Sequence, residues 1–226
     1  MKAFSNLLSD LILTSSRNRK LSLLEQYFSS TPDPDRGYAL AALTGSLNFK
    51  NIKASFFKDL IKEKQDEHLF DLSYDYVGDL AETISLLWDQ EKSGDMPRLS
   101  SLFENLKKAK TDELKNYIVN ILNISTADQR WAFIKLFTGG LRIGVSSRLV
   151  KQALANYGNV DLEEIEKIWH GLHFPYFNLF SWLENKGMKP KISIYDIFHP
   201  MMLAHPLVME KDLSLIHISE PTRRLV

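Results

Sequence analysis

Residues 137–154 read FTGGLRIGVSSRLVKQAL, a glycine-rich loop between two segments whose apolar residues recur at helical spacing. Three glycines, Gly139, Gly140 and Gly144, fall within six residues of this stretch. Because glycine has no Cβ, such a loop can turn its backbone N–H groups outward and let a ligand approach them closely. The stretch therefore predicts a helix, a ligand-accessible turn and a second helix.

The residues around this loop carry positive charge and no acid. Either Ser146 or Ser147 can cap the second helix, whose free N–H groups and dipole then favour an anion. Arg142 lies inside the loop, and Arg148 and Lys151 are three residues apart on one helix face. Together these groups suit successive phosphates of a nucleic-acid backbone, which provide affinity without base readout.

The same residues also allow two purely structural interpretations. The loop can be a plain turn between helices, and Arg142 can brace that turn by donating to helix C-terminal carbonyls. Two common phosphate-binding motifs do not apply, because the G-K-[ST] ending of a P-loop is absent and no strand precedes the glycines.

Outward from the loop, apolar residues keep helical spacing through most of the chain, with no sustained strand alternation. The predicted helices span roughly 2–14, 19–30, 35–43, 54–65, 74–90, 98–108, 112–122, 127–138, 147–156, 161–171 and 175–185. Gly158 and Gly187 are expected to end two of them as C-cap glycines. The pattern predicts an all-α domain over residues 1–189 and an extended, proline-interrupted linker over 190–212.

A second glycine turn resembles the first. Residues 43–47, LTGSL, match residues 137–141, FTGGL, and a helix precedes and follows each turn. After a one-residue shift, Lys58 aligns with Lys151 in the helix that follows. We therefore expect a duplicated, pseudo-symmetric domain, although glycine turns between helices are common. The repeat adds three weaker candidates for phosphate contact, Thr44, Gly45 and Lys58.

Composition excludes several classes of protein. The chain of 226 residues has 28 basic and 28 acidic side chains and no cysteine, which excludes disulfides, thiolate nucleophiles and cysteine-based zinc sites. No apolar run approaches the ~18 residues of a membrane span, so no membrane partner is expected. Charge is nevertheless segregated: residues 65–91 carry eight acids and no Lys or Arg, while residues 130–151 carry five Lys or Arg and no acid. The presence of a nucleic-acid site would therefore depend on the local distribution of charge and not on the net charge of the chain.

The end of the chain has a different character. Residues 213–223, LSLIHISEPTR, resemble the conceptual translation of a sequencing-library adapter. We therefore predict that residues 213–226 are an artefactual tail and exclude them from the fold.

Four segments resemble, in order, parts of the N-terminal DNA-binding domain of bacterial ATP-dependent DNA ligases. They are DLSYDYVGDLAETISLLW (71–88), GGLRIGVSSRLVKQALA (139–155), WHGLHFPYFNLFSWLE (169–184) and FHPMMLAHPL (198–207). The last resembles the family's P-M-L-A connector to the nucleotidyltransferase domain, with one extra methionine. The resemblance covers essentially all of residues 1–212 and implies an all-helical, internally pseudo-symmetric domain that grips the minor groove and phosphates around a nick.

The resemblance also implies partners and cofactors. The DNA contacts it places are Gly139, Gly140, Arg142, Gly144, Ser146, Ser147, Arg148 and Lys151. The parent enzyme would use ATP and Mg²⁺ to seal nicked double-stranded DNA in repair, replication and recombination, in the bacterial cytoplasm at the nucleoid. The lysine of the family's K-x-D-G motif is absent here, so we expect a monomeric, DNA-binding but inactive fragment with no catalytic residue, metal or cofactor. The alternative is a helical-repeat scaffold that binds protein and not DNA.

The missing motif generates a first prediction. If the reading frame is cut at the adapter-like tail, genomic sequencing past codon 212 is expected to show a frame that continues into K-x-D-G. A stop codon at that position would instead make this chain a free-standing domain and would remove the ligase assignment of the parent.

Overall fold

The computed structural model describes residues 1–47, 52–90, 94–138 and 141–191, which form twelve α-helices and one 3₁₀ turn and contain no strand. The helices are α1 Lys2–Leu13, α2 Arg17–Ser30, α3 Asp35–Leu43, α4 Ala54–Lys62, α5 Glu67–Val77, α6 Leu80–Leu87, α7 Leu99–Lys108, α8 Thr111–Ile124, α9 Ala127–Lys135, α10 Ser147–Gly158, α11 Leu162–Ile168 and α12 Phe177–Leu183. The 3₁₀ turn spans Trp169–Gly171. The predicted all-α class is confirmed.

Most of the predicted linker and the whole predicted tail lie outside the described residues, which end at Lys191. The boundaries at residues 190 and 213 therefore stay predictions. Among the described residues, none of the helices combines the length and the apolar character that a membrane crossing requires.

The prediction of one helix over 74–90 was wrong, because two helices meet there. Gly78 ends α5 in the left-handed conformation, with φ 74°, and Asp79 caps α6 by accepting a hydrogen bond from the N–H of Glu82 at 3.0 Å. A left-handed glycine followed by a capping aspartate ends one helix and starts the next. Apolar spacing alone continues across this junction, which is why the periodicity missed it.

Gly158 and Gly187 do not serve as the predicted C-caps. The left-handed positions are Asn159, with φ 50°, and Asn185, with φ 57°. Asparagine tolerates this conformation better than most residues that carry a Cβ. Gly158 is instead the last residue of α10, and a Cβ there would collide with Leu183. This glycine therefore permits the close approach of α10 and α12.

The helices form two successive groups of six, α1–α6 and α7–α12. In length, α2 and α8 both have 14 residues, and α3 and α9 both have nine. In packing, α1 of the first group lies against α9 of the second, and α7 of the second lies against α3 of the first. Within the first group α4 contacts α5 and α6, and within the second α10 contacts α11 and α12. Some contacts thus repeat between the groups, but the packing of α2 against α10 and of α6 against α9 has no counterpart of similar extent among the described helices, so the duplication stays a prediction.

An aromatic cluster joins the two groups at the centre of the molecule. Phe57 of α4 and Phe133 of α9 are fully buried, and Phe137 follows α9. The ring centroid of Phe137 lies 5.1 Å from that of Phe133 and 5.9 Å from that of Phe57. Each such ring buries a large apolar area, so this cluster stabilises the contact between the paired helix–turn–helix units.

A buried arginine ties α3 to α12. The Arg36 guanidinium donates to Asp33 Oδ2 at 2.7 Å and to Glu184 Oε1, and it lies 4.2 Å from the ring centroid of Phe180. The hydroxyl of Tyr157 also donates to Glu184, at 2.9 Å. Hydrogen bonds, first from Arg36 and then from Lys186 and Tyr157, lower the pKa of Glu184 from 4.5 to about 2. The buried charge of Arg36 is thus neutralised by partners from two segments.

This network predicts a pH-dependent contribution to stability. Because the folded pKa of Glu184 is depressed, its contribution is present above pH 4.5 and is lost as the pH falls towards 2. We expect Glu184→Gln to lower the free energy of unfolding by about 2 kcal/mol at pH 7, with the deficit shrinking across that acid range. Urea titrations at several pH values measure this difference. The control is Glu163→Gln, whose side chain is 84% exposed; a deficit that is constant with pH would contradict the assignment.

Candidate nucleic-acid interface

The glycine loop between α9 and α10 has two described residues in the left-handed region. Arg142 has φ 49° and Gly144 has φ 65°. Gly139 and Gly140, which the sequence also placed in the site, lie outside the described residues. Positive φ at Gly144 agrees with the predicted backbone freedom, whereas positive φ at a non-glycine such as Arg142 is uncommon. The Arg142 side chain is carried outward and is exposed.

The loop is braced by a residue that sequence analysis did not identify. Lys20 of α2 donates from Nζ to the carbonyl oxygens of Ile143, at 3.3 Å, and of Gly144, at 2.9 Å. Within the described ranges, the side chain of Arg142 makes no hydrogen bond or ion pair, so the bracing role considered for Arg142 belongs to Lys20. Arg142 therefore keeps its charge and its donors for an external partner.

The N-terminus of α10 lies directly after the glycine loop. Ser146 is the N-cap and accepts a hydrogen bond from the N–H of Leu149 at 3.2 Å. Of the two candidate serines, Ser146 is therefore the one that caps α10, and Ser147 is the first helical residue. Arg148 is exposed, and the ammonium of Lys151 lies 5.0 Å from the ring centroid of Trp169. The first turn of α10 contains no acid. Its partial positive charge is therefore reinforced by side chains and not neutralised by them.

The loop and two helix N-termini line one concave surface of about 600 Å³, which we call the basic cup. Its lining residues are Ser15, Arg17, Lys20, Arg142, Gly144, Val145, Ser146 and Leu149. Helix α2 begins at Arg17, so its N-terminus meets that of α10, and none of the described residues that line the cup is acidic. Two helix N-termini beside three cations favour an anion such as a phosphate.

Sequence analysis missed Arg17 and Lys20 because they lie more than 100 residues before the loop. A local signal was nevertheless present. Residues 17–20, RNRK, place three cations in the first turn of a helix, where the dipole disfavours positive charge. Such a run at a helix start indicates that an anion, or a set of backbone carbonyls, compensates the cations.

Two other cations of the 130–151 stretch are internal. Arg130 is 5% exposed, and burial lowers its pKa; Nη1 of this guanidinium is buried and has no hydrogen-bond partner within the described part of the chain. Lys135 is 8% exposed and pairs with Asp79. Only part of the positive charge of residues 130–151 is therefore exposed, and this part lies in the segment from Arg142 onwards.

The first repeat has a different electrostatic environment. Thr44 donates from Oγ1 to the carbonyl of Leu40 at 2.8 Å, and Gly45 has φ 73°. The ammonium of Lys58 lies 4.6 Å from the ring centroid of Tyr74. None of Thr44, Gly45 and Lys58 lines the basic cup. These three candidates thus belong to a second turn, and their contact with phosphate stays a prediction.

Acidic α5 explains why the first repeat presents less free charge. Lys62 of α4 pairs with Glu67 at 2.6 Å and with Asp71 at 3.5 Å. These carboxylates come from the acid-rich 65–91 segment, which packs beside α4. A phosphate near α4 would meet these carboxylates, whereas none of the described residues that line the basic cup is acidic.

A family model described as DNA ligase N terminus matches residues 1–155, which include α1 to most of α10 and every residue of the basic cup. No curated protein sequence shows a significant match.

The capping role of Ser146 generates a stability prediction. We expect Ser146→Ala to lower the free energy of unfolding by about 1 kcal/mol, because the N–H of Leu149 loses its acceptor. The matched control is Ser147→Ala, which removes a hydroxyl from the next residue and should change stability by less than about 0.5 kcal/mol. Urea unfolding of the two variants tests the assignment, and equal losses would contradict it.

Proposed function

The chain belongs to the DNA ligase N-terminus family, and from that premise we propose that it is the DNA-binding portion of an ATP-dependent DNA ligase. The observation that carries the proposal is the basic cup, whose described lining residues include no acid and in which Arg17 and Arg142 are exposed beside two helix N-termini. A phosphate backbone carries a regular series of negative charges, and this surface offers fixed donors and cations to it.

The chemistry of the cup favours the backbone of DNA over its bases. Arginine can contact phosphate oxygens in a bidentate manner, and the N–H groups at a helix start bind them without reading sequence. Arg148 and Lys151 extend this surface along the first two turns of α10. We infer that the domain grips phosphates along the minor groove on either side of a nick, with the second glycine turn at Gly45 as a weaker contact.

The ligation chemistry belongs to the rest of the enzyme. The 226 residues contain no K-x-D-G motif, so no lysine of this chain is assigned to accept AMP. We propose that the parent enzyme uses ATP and Mg²⁺, that this chain binds nicked duplex as a monomer without sealing it, and that it acts in repair, replication and recombination at the bacterial nucleoid.

Removal of one exposed cation tests the proposal. We expect Arg142→Ala to weaken binding to nicked duplex DNA by about 1–2 kcal/mol, by a similar amount for unrelated sequences, because phosphate contacts carry no base information. The slope of log affinity against log salt should fall by about one. Fluorescence anisotropy of labelled duplexes at 50–200 mM salt, about the range in which such contacts respond, measures both quantities.

The matched control is Lys62→Ala, which also removes one positive charge. Its carboxylate partners Glu67 and Asp71 already neutralise this lysine, so DNA affinity should stay within about twofold of the wild type. A sequence-dependent loss in Arg142→Ala, or no loss, would contradict the phosphate role. Failure of the wild-type chain to bind duplex at low salt would favour the protein-binding scaffold instead.

A further inference from the structure

Lys20 occupies an unusual position for a lysine. It is 9% exposed, lies in the first turn of α2, and pairs with no carboxylate of the described residues. A cation at a helix N-terminus opposes the dipole, and a buried ammonium must find acceptors. Its acceptors are the carbonyl oxygens of Ile143 and Gly144, 123 and 124 residues further along the chain.

We propose that Lys20 is the positioning residue that sets the shape of the phosphate-binding loop before DNA arrives, an inference that rests on the proposed function. Its two hydrogen bonds draw two successive carbonyls to one side. Because a trans peptide directs its N–H opposite to its carbonyl, the N–H groups of Gly144 and Val145 turn away from Lys20. Neither N–H has a hydrogen-bond partner among the described residues, so both are available to an anion.

Gly144 is coupled to Lys20 by close contact. A Cβ at position 144 would lie 2.6 Å from Lys20 Nζ, and the backbone there has φ 65°. Any side chain at this position would displace the ammonium from its carbonyl acceptors as well as strain the loop. The glycine and the lysine therefore form one structural unit although they lie in different halves of the sequence.

The positive charge of Lys20 is not neutralised by any carboxylate of the described residues. An ammonium has three donors, and two of those on Lys20 bond to neutral carbonyls. Lys20 lines the basic cup with Arg17 and Arg142, and none of these three cations pairs with a carboxylate of the described residues. Lys135, by contrast, is equally buried but pairs with a carboxylate, that of Asp79.

The first test removes the ammonium and keeps the apolar stem. We expect Lys20→Met to weaken binding of fluorescein-labelled nicked duplex about tenfold, the effect of losing about one charge-assisted hydrogen bond between a loop N–H and a phosphate. In the DNA-free variant, amide NMR should show displaced resonances and faster hydrogen exchange at Gly144 and Val145. A lysine that only touched DNA would leave the free loop unchanged, and that result would overturn the positioning role.

A second test uses the absence of cysteine from the chain. Lys20→Cys creates a single thiol, which bromoethylamine alkylates to an ammonium side chain of nearly the length of lysine. We expect the cysteine variant to bind about tenfold more weakly and its aminoethylated form to regain at least half of the loss on a logarithmic scale. Identically treated wild-type chain is the control, and no recovery after complete modification by mass spectrometry would overturn the proposal.

A double-mutant cycle separates this inference from the proposed function. Gly144→Ala is expected to weaken binding to a similar extent, and the pair Lys20→Met with Gly144→Ala should lose far less than the product of the single losses. Independent, multiplicative losses, or wild-type binding by Gly144→Ala, would overturn the coupling. If Arg142→Ala weakens binding while Lys20→Met does not, only this inference fails; if neither variant weakens binding, the proposed function fails as well.

Discussion

The packing of α2 against α10 holds the two halves of this chain in register, and the basic cup exists only because of it. The helices touch at several levels: Lys20 bonds to the loop that precedes α10, and Asn156 donates to Glu25 at 2.7 Å near the other end. The packing of α1 against α9 also holds the two halves of the chain together. These contacts are non-local, so the loop acquires its shape only when both halves are folded.

Among the described residues, most buried ions are paired, whereas the cations of the basic cup have no carboxylate partner. Arg36 has Asp33 and Glu184, and Lys135 has Asp79. These pairs hold helices together, but they add little to the external field because their charges cancel. A chain with zero net charge can therefore still present a local positive surface to phosphate. The acidic segment beside α4 has the complementary effect, since it disfavours phosphate at the first repeat.

Local rules predicted much of the architecture. Helix α9 begins at a capping box of Thr126 and Gln129, whose hydrogen bonds join residues only three apart, and the helix predicted over 127–138 begins there. The junction at Gly78 and Asp79 also had a local signal, which apolar periodicity concealed. Gly158 was misassigned because its small size serves a contact with Leu183 in another helix, and no rule for helix ends contains that information.

The sequence alone determined that the chain is helical, that a glycine turn precedes a helix with a serine at its start, and that Arg142 lies in that turn. Each of these features depends on residues a few positions apart. Only the tertiary structure decided that Lys20 braces the loop, that Arg17 joins the cup, and that Arg130 and Lys135 are buried. The physical reason is that burial and charge pairing depend on which helices pack together, and a helical pattern does not specify its distant partner.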